Sequence, residues 1–299
     1  MGTKNLPAKM YKSGQRTEKT IRFVFANNTT RYIDIAKALS EVNGVAYRQG
    51  LYYYISAVEL QDDADGSTVD ISTLADTWLT KQSWIRAYNH WNKMNDSVSL
   101  PNAKYSDFKV RMTSASASAT LESPEGHGAA DEWNLSEFIY EKGGGSGQMG
   151  TAELYIAGTH VGSYPDVTGY GIVNGFSRTR RNIGDIQAGI DPVPDNAATD
   201  IMALASNGES EVATAKKDEN DLTPYNHDDF FGTSSSDVVR QFRLATGSGA
   251  GRAVAIGGFC VPFGLMKVEA SCDGEWSLTV KLTPGPYHGV YAERVFDDQ

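Results

Sequence analysis

Residues 257–284 read GGFCVPFGLMKVEASCDGEWSLTVKLTP. From Trp276 to Leu282 large apolar side chains alternate with Ser277, Thr279 and Lys281, the period-two pattern of a strand buried on one face. Residues 265–271 and 252–261 read as two further strands, with Pro262-Phe263-Gly264 as the turn between them. A tight hairpin at that turn sets Cys260 opposite residues near 267, well short of Cys272. These are the two cysteines of the chain, they form no CxxC, and both are expected as reduced thiols.

Outward from this stretch the pattern stays β. Strands are expected at 21–25, 51–60, 108–112, 135–141, 152–157, 170–176, 238–245 and 290–296, divided by Gly-, Ser- and Pro-rich turns. Many short strands with 30 glycines point to a sandwich or barrel. Two helices interrupt the series. Tyr32, Ile35, Ala36, Leu39 and Val42 fall at helical spacing behind a turn or cap at 27–29, and Asn43-Gly44 closes that helix. The second spans 73–95, where Thr73 and Asp76 resemble a capping box and Trp84, Tyr88 and Trp91 fall at i, i+4 and i+7. Its aromatic band reads as a buried anchor against a sheet or a subunit, or as a platform for sugars or bases.

The 299 residues carry 27 basic and 37 acidic side chains, a net charge of −10. Charge is uneven. The first 22 residues hold Lys4, Lys9, Lys12, Arg16, Lys19 and Arg22 against one acid, Glu18. This is a basic arm on an acidic body, suited to phosphates, an anionic lipid surface or an acidic neighbour; the plainer alternative is a solvated tail. Six cations neutralise few phosphates, so the arm does not suit bulk genome packaging. No stretch reaches the roughly 18 apolar residues of a membrane span. The beginning of the chain lacks the apolar segment of a secretory signal, so an intracellular start is expected.

The chemical motifs do not build a catalytic site. Residues 145–150 (GSGQMG) match GxGxxG, but the strand-like TAELYI follows where phosphate binding needs a helix, so these glycines read as a hairpin. Asp63, Asp65 and Gly66 echo part of a calcium loop whose closing position is Ser72 rather than Glu. His227-Asp228-Asp229 lacks a second histidine at ligand spacing. There is no GxSxG elbow and no P-loop, and the SxxK at 106–109 falls in an expected strand. Carboxylates paired in space for glycoside hydrolysis would be sought at Glu122, Asp131 and Glu132 beside Trp133. Arg178, Arg180 and Arg181 form a compact basic cluster for an anionic ligand or an intersubunit carboxylate, unless they merely face solvent. No catalytic residue, cofactor or metal is expected.

The organisation expected is a basic arm over 1–20, a first β unit over 21–190, a polar excursion over 191–229 and the strands of a second β unit over 230–299. Abundant β structure, long polar excursions and missing catalytic motifs describe a building block. Four stretches carry a resemblance: IRFVFANNTTRYIDIAKALSEVN from 21, YRQGLYYYISAVEL from 47, TWLTKQSWIRAYNHWNKMN from 77, and the run over 257–284. In style and order the chain resembles jelly-roll major capsid proteins of small tailless icosahedral DNA viruses, including membrane-containing and single-stranded DNA phages of aquatic environments.

That resemblance implies a double jelly roll, as length favours although the expected strands fall short of sixteen, with a single jelly roll carrying large insertions as the alternative. It implies self-assembly, with a homotrimer as the block of a virion shell made in the host cytoplasm. Minor capsid proteins, an inner membrane or the genome would be further partners, the last two through the arm. Contact residues are then expected at Lys4, Lys9, Lys12, Arg16, Lys19 and Arg22, at Trp78, Trp84 and Trp91, and at Arg178, Arg180 and Arg181. A rival reading is a carbohydrate-binding spike using Trp133, Trp276 and Tyr52 to Tyr54 as exposed platforms. A glycan-active β-sandwich enzyme is the other.

Overall fold

The computed structural model describes residues 17–26, 30–62, 66–95, 106–114, 121–127, 133–142, 148–163, 166–178, 231–246, 252–272 and 274–295. The chain is mainly β. In order it forms β1 (Thr20–Ala26), β2 (Thr30–Asp34), α1 (Ile35–Asn43), β3 (Leu51–Asp62), β4 (Thr68–Thr73) and α2 (Trp78–Asn95). Next come β5 (Arg111–Thr113), β6 (Glu137–Glu141), β7 (Met149–Ala157), β8 (Val161–Ser163), β9 (Asp166–Gly171) and α3 (Ile172–Arg178). The chain closes with β10 (Val239–Ala245), β11 (Arg252–Val261), β12 (Leu265–Ser271), β13 (Glu275–Leu282), β14 (Pro284–Gly285), β15 (Gly289–Val290) and β16 (Ala292–Arg294).

Two antiparallel sheets make a β-sandwich. The first has the order β1-β13-β3-β11, with β16 added beside β3, and the second has the order β10-β4-β12-β2. Alternation decides which faces meet. Ile21, Phe23 and Phe25 of β1 point inward with Trp276, Leu278 and Val280 of β13, while Val69 and Ile71 of β4 and Met266 and Val268 of β12 answer from the other sheet. All are nearly or fully buried. Helix α1 adds Ala36, Ala38 and Leu39 to this core. Its start and stop are local chemistry: Asp34 Oδ1 accepts from the N–H groups of Ala36 (2.9 Å) and Lys37 (3.2 Å). Gly44 at φ 62° then returns its N–H to Ser40 O at 2.9 Å.

Residues between β4 and β10 supply α2, α3 and a third sheet of order β5-β7-β9-β8, with β6 on β7. Here β5 and β9 run parallel to β7. A second core lies under this sheet. Trp84 of α2 stacks on Phe263 (centroids 4.5 Å apart) and meets Phe108 edge-on at 5.0 Å, tying the inserted elements to the sandwich.

Several expectations are corrected. Strands of 239–282 pair with strands of 20–73, so the expected boundary between a first and a second β unit does not divide the sheets. β11 and β12 are not a hairpin. β11 pairs with β3 and β12 with β2 and β4, so Pro262-Phe263-Gly264 is a corner between two sheets. Phe263 takes the left-handed conformation there at φ 57° while fully buried, a strained geometry held by packing against Tyr52 and Trp84. The second helix begins at Trp78, not 73: Thr73 ends β4, and Thr77 Oγ1 accepts from Thr80 N at 3.2 Å. Residues 172–176 are helix α3 rather than strand. Thr30–Asp34 is a strand that precedes the first helix. The strand expected at 108–112 is only Arg111–Thr113, and that at 290–296 is two short pieces. The GxGxxG segment is flanked by antiparallel β6 and β7, closed by Lys142 N donating to Gln148 O at 2.8 Å. Both thiols are free.

Candidate assembly surfaces

The sandwich has two long sides, and one is sealed from within the chain. Leu121 bridges to Tyr32 of β2, and Glu122 N donates to Tyr32 O at 3.0 Å. Three residues later Glu125 N donates to Arg22 O of β1 at 2.8 Å. One short segment thus caps the outer edges of both sheets. It is anchored by Lys37, whose Nζ donates to Leu121 O (3.3 Å), Glu122 O (3.4 Å) and Ser123 Oγ (2.7 Å) and pairs with Glu41 at 3.1 Å. The two side chains are 4% and 10% exposed. A lysine is rarely so buried unless its donors are all used. Arg31 adds an ion pair to Glu122 at 2.9 Å.

Beneath that side lies the most perturbed carboxyl. Asp34 is fully buried, and its Oδ2 accepts from Gln49 Nε2 (2.9 Å) and Trp133 Nε1 (3.1 Å). Gln49 is fixed in turn by Val110, donating to its carbonyl at 2.9 Å and accepting from its N–H at 2.7 Å. Burial pushes the Asp34 carboxyl up to about 6, against four donors that pull it down. Burial also raises Asp107 and lowers Lys109, whose Nζ stands 4.2 Å from the centre of the Trp133 ring. The hydrogen bonds of this group serve the helix cap and the loops around it. This cluster is structural.

A cleft of about 720 Å³ opens between α2, α3 and the third sheet. Phe138, Tyr140, Tyr170 and Phe176 wall it, with Arg86 and His90 at its rim. Tyr140 Oη donates to Val167 O at 2.8 Å and Ser83 Oγ to Thr80 O at 2.9 Å, so both hydroxyls are committed to backbone. Arg86 lies over the Phe176 ring at 5.4 Å. The cleft is apolar with a basic rim and lacks the many open hydroxyl-matching groups of a sugar site.

The expected contact residues scatter. Lys4, Lys9, Lys12, Arg16, Arg180 and Arg181 lie outside the described residues, as do 191–229, Asp131, Glu132, Asp63, Asp65 and the His227 cluster. Lys19 is half-buried, its carbonyl accepting from Leu282 N at 2.9 Å. Arg22 is exposed and pairs with Glu125 at 3.0 Å. Trp84, at 1% exposure, belongs to the chain's own core and offers no surface to a neighbour. Trp91 is half-buried 5.7 Å from Phe108. Trp78, 44% exposed, remains at the surface, and Arg178 at the end of α3 is half-buried.

The platforms of the spike reading are also occupied. Trp276 is 1% exposed against Phe25, Tyr53 is fully buried, and Trp133 holds Asp34. Glu122 pairs with Arg31 and has no described carboxylate partner. Sequence reading missed Asp34 and Lys37, although an aspartate directly before an apolar helical run is a cap signal. Among the described residues no group of three or more His, Cys, Asp or Glu is placed to hold a metal ion, and no helix is long and apolar enough to cross a membrane. No protein-family model matches the chain, and neither a curated protein nor a solved structure shows similarity to it.

Proposed function

We propose that this chain is the major capsid protein of a small icosahedral DNA virus, a jelly-roll tile that assembles with copies of itself, in trimers, into a shell around the genome. One observation carries the reading. Counting only the eight sandwich strands in chain order, the sheets run 1-8-3-6 and 5-4-7-2. This order supports the reading of a jelly-roll winding, an architecture used in viral capsids, lectins and cupins. A cupin-like enzyme would want metal ligands and a lectin would want open polar groups beside an exposed aromatic face; the capsid reading needs neither. A single roll is favoured over a double one. Strands β5 to β9 form a mixed sheet with parallel pairs, inserted between the fourth and fifth strands of the roll, and do not repeat the winding.

In this reading the sandwich is the wall, and the inserted α2, α3 and third sheet are the variable face toward neighbours or solvent. The basic arm reaches the genome, an inner membrane or the next subunit. Deletion of residues 2–16, which leaves Lys19 and its bond from Leu282 N in place, tests it. The truncated chain keeps its circular dichroism and melting profile and loses closed particles in electron micrographs. Normal particles from the truncated chain would refute the role of the arm.

A further inference from the structure

Four strands end the two sheets, and they are not treated alike. The outer edges of β1 and β2 are hydrogen-bonded by 122–125, as described above. β10 carries exposed Arg240 and Arg243, the latter bidentate to Asp70 at 2.7 and 2.6 Å. Beyond Arg252 at its first position, β11 has none of these protections among the described residues. From Ala253 to Val261 it reads AVAIGGFCV, with no charge and no proline, and the lone thiol in it stays protonated because burial pushes Cys260 up to about 11. Among the described residues its one strand partner is β3.

Its side chains fit the same picture. Ala253, Ala255, Gly257 and Gly258 are exposed, so backbone is accessible. Val254, Ile256 and Phe259 point toward the core yet are only half-buried, and Phe259 meets Phe242 of β10 at 5.2 Å across the mouth between the sheets. A long uncharged apolar edge is a template for another strand, and folded proteins ordinarily block it with charge, proline or a cover. Among the described residues three edges are blocked and one is left open.

We infer that β11 is a subunit contact, pairing antiparallel with β11 of a second copy about a two-fold axis. Self-pairing suits this strand because no like charges meet across it, whereas two copies of β10 would oppose their arginines. Isologous pairing continues the β1-β13-β3-β11 sheet into its partner and covers Val254 and Ile256 at the mouth. That the occupant is a second copy rests on the shell reading above.

The test uses full-length wild type and Ala255→Lys, with Ala253→Lys as a second variant; both replace exposed side chains. Sedimentation across a concentration series and amide hydrogen exchange of 253–261 are read together. The expected result is slower exchange of β11 amides in assembled wild type, and self-association weakened about tenfold or more in the variants at unchanged melting temperature. Variants that assemble like wild type, with β11 amides exchanging equally in monomer and assembly, would overturn the β11 contact and leave the shell reading standing. Wild type that never self-associates would overturn both.

Discussion

The two long sides of the sandwich show opposite solutions to one problem. At β1 and β2 the chain spends part of its insertion, residues 121–127, on closing its own edges, and buries a lysine to hold the cover down. At β10 and β11 the described residues leave a half-open core mouth and one edge that is uncharged over 253–261. The contrast separates what the subunit needs to fold from what it presents outward. A sealed side stabilises the monomer; an open side is tolerable only if something routinely covers it.

The strongest way to break the contrast is to unseal the closed side. Lys37→Met leaves Glu41 buried without its cation and frees three acceptors in 121–123, and is expected to cost about 3–5 kcal/mol in urea unfolding. Asp34→Ala removes the cap of α1 and strands the donors of Gln49 and Trp133, with a loss of about 3 kcal/mol. Both changes should also speed hydrogen exchange at Glu122 and Glu125, whose N–H groups donate to the edge carbonyls of Tyr32 and Arg22.

A pH series sharpens the same point. Because the folded Asp34 carboxyl sits near 6 against an ordinary 3.8, the folded chain binds this proton more tightly than the unfolded chain. Its contribution to stability is complete below about pH 4 and is lost as pH rises through 6, about 3 kcal/mol in all. Asp107 shifts the same way through burial. In Asp34→Asn the decline between pH 4 and 7 is expected to flatten, read by denaturant midpoints at each pH. The smallest effect belongs to the exposed Arg22–Glu125 pair: Arg22→Ala is expected to change stability by less than about 1 kcal/mol.

Much of the sandwich was legible in sequence, because half-buried strands advertise themselves by alternation. Residues 252–261 and 265–271 were read to the residue, and β13 and β1 within one or two. What local pattern cannot carry is partnership. The corner at Pro262-Phe263-Gly264 looks like a hairpin turn, and only long-range pairing sends its flanking strands to different sheets. Ile172, Val173 and Phe176 are strand formers by propensity, yet packing against α2 and β7 makes them a helix. Thr73 was mistaken for the cap that Thr77 provides, since both precede an apolar run.

Of the contact surfaces, aromatic residues misled most. Trp84 and Trp276 are core anchors, while the β11 edge drew no notice because its signal is an absence of charge on a strand whose edge position is a tertiary fact.

Electron cryo-microscopy of the purified full-length chain, at concentrations that favour assembly, tests the central claim most directly. Closed, symmetric particles are expected, with a wall that fits a single eight-stranded sandwich per subunit and with α2, α3 and the third sheet displayed as an inserted feature. A chain that stays monomeric at the highest attainable concentration would contradict it, as would particles whose subunits hold two stacked rolls.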